Sequence, residues 1–214
     1  MTRHYSLFDK LLIEVEHALQ TVIAKNTASQ RQSPGDLINN KTQLTDKDKQ
    51  KASSLMRVDH TGEICAQALY RGQALVAKNE TTRAHLYHAA DEENDHLAWC
   101  QKRLDELDSR RSYLNPLWYS GSFLIGATAG LISDRLSYSF VVETENQVMK
   151  HLDAHIKHLP QQDEKSKAIL KQMKTDEQMH ANDAQDKGGS RLPLPIRIVM
   201  KLQSKIMTFS AYYF

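Results

Sequence analysis

Proline and glycine are scarce in this sequence, five and eight among 214 residues, and long stretches contain neither. That scarcity argues against short strands joined by tight turns and predicts an all-α protein. Cysteine is nearly missing as well: Cys65 and Cys100 have no CxxC partner, so small buried helix residues are expected there rather than thiolate ligands. No charge imbalance is present. Lys and Arg total 28 against 26 for Asp and Glu, and a net charge of +2 excludes the electrostatic footprint of a nucleic-acid binder. A GxGxxG motif is absent, so the reductant of any redox reaction is not visible and must act without a Rossmann site or through a partner. The opening MTRHYSLFDKLLIEVEHAL carries acids throughout and no sustained apolar run, unlike a secretory signal; with so few cysteines this predicts a cytoplasmic, reducing setting.

What is present is helical periodicity. With 40% hydrophobic and 25% charged residues the chain can bury one sizeable core. A first helix is expected over about 7–24, through Leu11, Leu12, Val15 and Leu19, followed by a polar linker to about residue 45 containing Pro34 and Gly35. Helices are then expected over about 46–78, about 83–110, 135–159 and 164–186. Residues 112–133 carry no charge, about the length of a membrane-spanning helix, but Pro116, Gly121, Gly126 and Gly130 dilute them. An apolar surface touching lipid is the favoured reading, ahead of an internal core helix and a spanning one. No acidic residue follows Asp186, whereas Lys187, Arg191, Arg197, Lys201 and Lys205 do. The tail thus reads as a basic amphipathic helix suited to an anionic membrane surface. The division expected is an N-terminal helix and linker (1–45), a bundle including the apolar segment (46–189) and the C-terminal helix (190–214).

Two Glu-x-x-His units stand out, Glu93 with His96 and Glu177 with His180. At i and i+3 on a helix, a carboxylate and an imidazole share one face and can reach one metal. One such unit is weak evidence; the pair gains weight from what precedes each. Glu63 lies 30 residues before Glu93 and Glu145 lies 32 before Glu177, so the chain reads Glu, ExxH, Glu, ExxH. In an antiparallel hairpin, residues at equal height are equidistant from the turn, and the midpoints fall at 78 and 161. Capping and helix-breaking residues cluster at both midpoints independently. Each arm then places its ligands about 22 Å from its turn, deep in a bundle.

Burying four carboxylates costs several kcal/mol each unless cations neutralise them. Two divalent cations balance the four charges, and oxygen-rich ligation with one imidazole per metal favours iron or manganese over structural zinc. Six ligands on two metals leave positions open for dioxygen. His151 and His60 are candidate hydrogen-bonding partners of the ligands. His85 and His88, near Glu92, read as surface residues.

The run Arg57-Val58-Asp59-His60-Thr61-Gly62-Glu63, the two ExxH units and Pro116-Leu117-Trp118 resemble the demethoxyubiquinone hydroxylase family, with the match extending over about 55–189. The resemblance implies a ferritin-like four-helix bundle with additional N-terminal, central apolar and C-terminal helices. It further implies two iron ions per subunit held by Glu63, Glu93, His96, Glu145, Glu177 and His180, with dioxygen as co-substrate. Glu143 competes with Glu145, and the family's spacing favours Glu145, leaving Glu143 as an outer partner. The implied reaction is hydroxylation of a polyprenyl methoxy-methyl-benzoquinol, on the cytoplasmic face of the cell membrane and in company with other ubiquinone-biosynthesis proteins. A ferroxidase or iron-storage protein on the same fold, and a non-enzymatic membrane scaffold, are the rival readings.

Overall fold

The structure is a computed structural model that describes residues 6–23, 30–39 and 43–214. Among these, seven α-helices occur and no strand. They are α1 (Leu7–Val22), α2 (Asp46–Val76), α3 (Glu80–Glu106), α4 (Asn115–Ile132), α5 (Asp134–His158), α6 (Glu164–Asp186) and α7 (Leu194–Tyr213). The expected helix end at Ala24 and parts of the expected linker lie outside the described residues.

The helix boundaries have local causes. Thr45 caps α2 by accepting from the Asp48 amide, Asn79 caps α3 through Thr81, Ser133 caps α5 through Leu136 and Asp163 caps α6 through Ser166. The α2–α3 and α5–α6 turns bracket positions 78 and 161, where the ligand spacing had put them. The Asp134 carboxylate accepts from the backbone amides of Lys78 and Asn79, tying the first turn to the start of α5.

The two hairpins, α2–α3 and α5–α6, form the bundle. Its interior is layered. One apolar layer gathers Met56, Trp99, Leu104, Leu152, Leu170 and Met173; another gathers Tyr70, Leu86, Tyr138, Val141 and Ala184. On every helix the predicted ligands lie between the two layers in sequence: Glu63 after Met56 and before Tyr70, Glu145 after Val141 and before Leu152. This order makes α3 and α5 run the same way, so the chain must cross back along the bundle to begin α5. Helix α4 makes that crossing, packed on α2.

The uncharged segment is therefore an 18-residue helix with two faces. Gly126, Ala129 and Gly130 are buried against α2, while Leu117, Leu124 and Leu131 are exposed. No helix among the described residues is long and apolar enough to cross a membrane. The Gly126-xxx-Gly130 spacing serves close approach to α2.

The polar run expected as a bare linker is more structured than its composition suggested. Pro34–Leu37 form a short 3₁₀ turn, and Gly35 lies against Ile169 of α6. Helix α1 is pinned to the bundle by the buried pair of Glu14 with Arg71, 2.8 Å, and by the Tyr87 hydroxyl donating to Glu14, 2.9 Å.

Candidate metal centre

The six predicted residues converge in the polar layer between the two apolar ones. Glu63, Glu93, His96, Glu145 and Glu177 are at most 2% exposed, and His180 is partly buried. They form two groups that could hold a metal ion: Glu63, Glu93, His96 and Glu177, and Glu93, Glu145, Glu177 and His180. Glu93 and Glu177 belong to both. His96 Nδ1 lies 3.0 Å from Glu93 Oε2 and 3.1 Å from Glu177 Oε1, while His180 Nδ1 lies 3.5 Å from Glu93 Oε1 and 3.0 Å from Glu177 Oε2. Each of these two carboxylates thus turns one oxygen toward each histidine, the posture of a bridging ligand. Glu63 joins only the His96 group, at 3.5 Å, and Glu145 only the His180 group.

The donor set fits a pair of cations. Glu93 Oε1 and both oxygens of Glu145 are buried without a hydrogen-bond partner. Buried carboxylate oxygens in that condition are costly, and divalent cations are what would satisfy them. Burial, followed by the charges of Glu177 and Glu93, pushes Glu63 well above the ordinary carboxylate range; burial and then Glu177 do the same to Glu145. Burial opposes the charge on His96 and His180, but the surrounding carboxylates outweigh it and raise both imidazoles well above their usual value.

These shifts set a pH dependence. Above the ordinary carboxylate range, unfolded Glu63 and Glu145 ionise freely while the folded ones keep their protons. Above the ordinary imidazole range, unfolded His96 and His180 lose protons that the folded ones retain. Buried His60 runs the other way below the ordinary imidazole range, neutral when folded and protonated when unfolded, as to a lesser degree do His17, His85 and His151. Above that range the native metal-free state binds more protons than the unfolded state, so its melting temperature is expected to fall as pH rises from about 7 to about 9. Metal binding displaces those protons, so metal-loaded protein is expected to gain stability over the same interval. Thermal melts with chelator and with metal across this range check both signs.

The residue before each ExxH glutamate carries a role that sequence spacing had not assigned. His96 Nε2 lies 3.0 Å from Asp176 Oδ2, and His180 Nε2 lies 3.3 Å from Glu92 Oε2. The acid adjoining each unit grips the imidazole of the other unit, leaving Nδ1 for the centre. The two grips are unequal. Glu92 is half-exposed and also meets His88 at 3.2 Å. Asp176 is buried and further held by Gln172 and by Arg31, whose Nη2 lies 2.8 Å away. Burial opposes its charge, yet the hydrogen bonds from His96, Arg31 and Gln172 bring its pKa down to about 2. Arg31 also binds Asp95 at 2.7 Å and stacks over Trp99, so the polar run before α2 braces the His96 side from outside. Asp176→Ala is expected to weaken metal binding about 10- to 100-fold, measured by equilibrium dialysis.

The expected outer partners lie elsewhere. Among the described residues no hydrogen bond joins His151, His60 or Glu143 to any of the six. Six residues on from Glu145, His151 is rotated to another face of α5, and its Nε2 meets Ser204 of α7 at 2.9 Å. Glu143, two residues before Glu145, faces away and binds Arg197 of α7 at 3.0 Å. His60 is fully buried with Nδ1 unpartnered, and burial, then Arg111, push its pKa down to about 3. His85, expected at the surface, is partly buried: it pairs with Asp183 and packs edge-on against Tyr138. His88 is exposed as expected. Cys100 is buried and Cys65 half-buried, both unpaired.

A cavity of about 130 Å³ reaches Glu63 from between α4, α5 and α7, walled mainly by apolar side chains such as Trp118, Ile125, Phe140 and Met207. A cavity of about 150 Å³ admits one benzene ring, so this one is slightly smaller and comparable to a single unsubstituted aromatic ring.

A crossover bundle closed around two histidines and two shared carboxylates defines a ferritin-like protein whose buried cluster could hold metal, with a ring-sized pocket beside it. Residues 50–211 match the family described as ubiquinone biosynthesis protein COQ7, and the chain belongs to that family. It is 66% identical over 172 residues to the 3-demethoxyubiquinol 3-hydroxylase of Francisella philomiragia subsp. philomiragia, covering 80% of this chain and 82% of that protein. It is 54% identical over 212 residues to the enzyme of the same description from Francisella tularensis subsp. novicida, covering 99% and 100%.

Proposed function

We propose that this protein hydroxylates the ring of a demethoxyubiquinol in ubiquinone biosynthesis, using dioxygen at a centre of two iron ions. The observation that carries the reading is the pair of overlapping four-residue groups sharing Glu93 and Glu177 beside an apolar, ring-sized cavity. Glu63, Glu93, His96 and Glu177 would hold one ion, and Glu93, Glu145, Glu177 and His180 the other. Bound iron would supply the activation of dioxygen that no side chain can provide. The chain's own contribution is positioning: Asp176 and Glu92 orient the two imidazoles, and the apolar walls keep water from the ring while it lies beside Glu63.

The substrate carries a polyprenyl tail, and the reading extends to a peripheral seat on the cytoplasmic face of the cell membrane. Support comes from apolar side chains left exposed on three helices: Leu12 and Leu19 of α1, Leu117 and Leu124 of α4, Leu202 and Phe209 of α7. The ends of these helices meet at residues 110–113, where Arg111 donates to the Ile23 carbonyl and Tyr113 to that of Phe214. Lys201 and Lys205, exposed on α7, suit anionic lipid head groups. The cavity is lined in part by α4 and α7, so a tail lying in the bilayer could leave its ring at Glu63. Contact with other proteins of the pathway is part of the same proposal and would supply the reductant.

Deleting the gene is expected to replace ubiquinone in lipid extracts with its demethoxy precursor. Unchanged ubiquinone content would contradict the reading.

A further inference from the structure

The surface of the cavity beside Glu63 is mostly apolar, with polar side chains set among the apolar ones, and one of these is an imidazole that the centre does not use. His151 of α5 lines it together with Ser204 of α7, the two joined through Nε2 and Oγ at 2.9 Å. Nδ1 of His151 has no hydrogen-bond partner among the described residues. One turn on, His155 lies 2.6 Å from the buried Asp59 carboxylate, and its ring centroid is 6.3 Å from that of His151. Burial opposes a charge on His155, but Asp59 outweighs it and raises that imidazole, while burial and then His155 lower His151. The pair thus divides the labour: His155 answers the carboxylate, and His151 stays neutral.

A neutral imidazole has one donor nitrogen and one acceptor nitrogen, and a hydroxyl can act as either. If Ser204 donates to Nε2, Nδ1 carries the proton and donates to a carbonyl. If Ser204 accepts from Nε2, Nδ1 accepts from a hydroxyl. Both arrangements satisfy the two imidazole nitrogens without moving a heavy atom. A quinone presents carbonyl oxygens and a quinol presents hydroxyls.

We propose that His151 and Ser204 form the hydrogen-bonding seat for one ring oxygen of the head group, able to hold the ring in both its quinol and its quinone state. The inference rests on the hydroxylase reading and deepens it. It makes His151 a substrate-positioning residue that holds reduced substrate as well as any oxidised ring that enters from the quinone pool.

The test uses full-length metal-free protein and a short-tailed demethoxyubiquinone, added either oxidised or anaerobically reduced. Of the two tryptophans, Trp118 lines the cavity and Trp99 packs by His96, so fluorescence quenching reports ring binding. Wild type is expected to bind both forms. His151→Phe is expected to weaken both by about tenfold or more, the loss of one hydrogen bond in a desolvated pocket. His151→Gln, with one donor and one acceptor in its amide, is expected to recover most of that loss. Equal affinity of His151→Phe and wild type for both forms overturns the seat while leaving the hydroxylase reading intact; wild type that binds neither form overturns both. Should His151→Phe not fold, 15N-histidine NMR of wild type decides: one imidazole is expected to exchange its protonated nitrogen between the quinone and quinol complexes, and imidazole signals identical in the two complexes overturn the seat.

Discussion

Glu177→Ala is expected to empty both metal positions and to lower turnover by about 10³-fold or more, the consequence of losing roughly 4 kcal/mol at the reacting centre. Glu177 faces His96 through Oε1 and His180 through Oε2, at 3.1 and 3.0 Å, so one truncation removes a ligand from each position. Glu145→Ala is the contrast. Its carboxylate belongs only to the group containing His180, so this variant is expected to retain metal at the His96 position, about one ion per chain. Metal content by mass spectrometry alongside turnover separates the two, with circular dichroism verifying that the bundle persists. Equal metal loss in both variants would contradict the bridging role assigned to Glu177.

The second large effect falls far from the chemistry. Helices α2 and α4 approach so closely that a Cβ at Gly72 would lie 2.2 Å from the Phe123 carbonyl oxygen, and one at Gly126 would lie 2.1 Å from that of Leu69. The obstructing atoms are backbone and cannot rotate aside. Gly72→Val is expected to cost about 3 kcal/mol or more, the upper part of the overpacking range. For a chain of this size that lowers the melting temperature by about 6–12 °C, read by far-ultraviolet circular dichroism. Gly121, on the same helix as Gly126, has open space around its Cβ position. There Gly121→Ala is expected to stabilise by about 0.5–1 kcal/mol, because glycine inside a helix is entropically costly.

The centre was legible in the sequence because its determinants are local and periodic. Glu63 to Glu93 and Glu145 to Glu177 each measure one hairpin, and caps at Asn79 and Asp163 mark the same turns. The partners of the ligands were harder, because a hydrogen bond between helices leaves no spacing to read. Asp176 serves His96 across 80 residues, and Arg31 reaches Asp176 from a stretch whose composition suggests only a linker. A signal existed all the same: an acid stands directly before the glutamate in both units, Glu92-Glu93 and Asp176-Glu177. His151 and Glu143 were expected near the ligands from sequence proximity, but offsets of six and two residues from Glu145 turn them toward α7. The uncharged segment was ambiguous because two of the glycines that dilute its hydropathy, Gly126 and Gly130, also fit it against α2.

The most direct test of the account is a single turnover. Protein loaded anaerobically with ferrous iron is mixed with demethoxyubiquinol and isotopically labelled dioxygen, and the ring is analysed by mass spectrometry. The account predicts one labelled oxygen atom in the product ring, and none when Glu177 is alanine. Oxidised iron beside an unchanged quinol would contradict it and mark the protein as a ferroxidase on the same bundle.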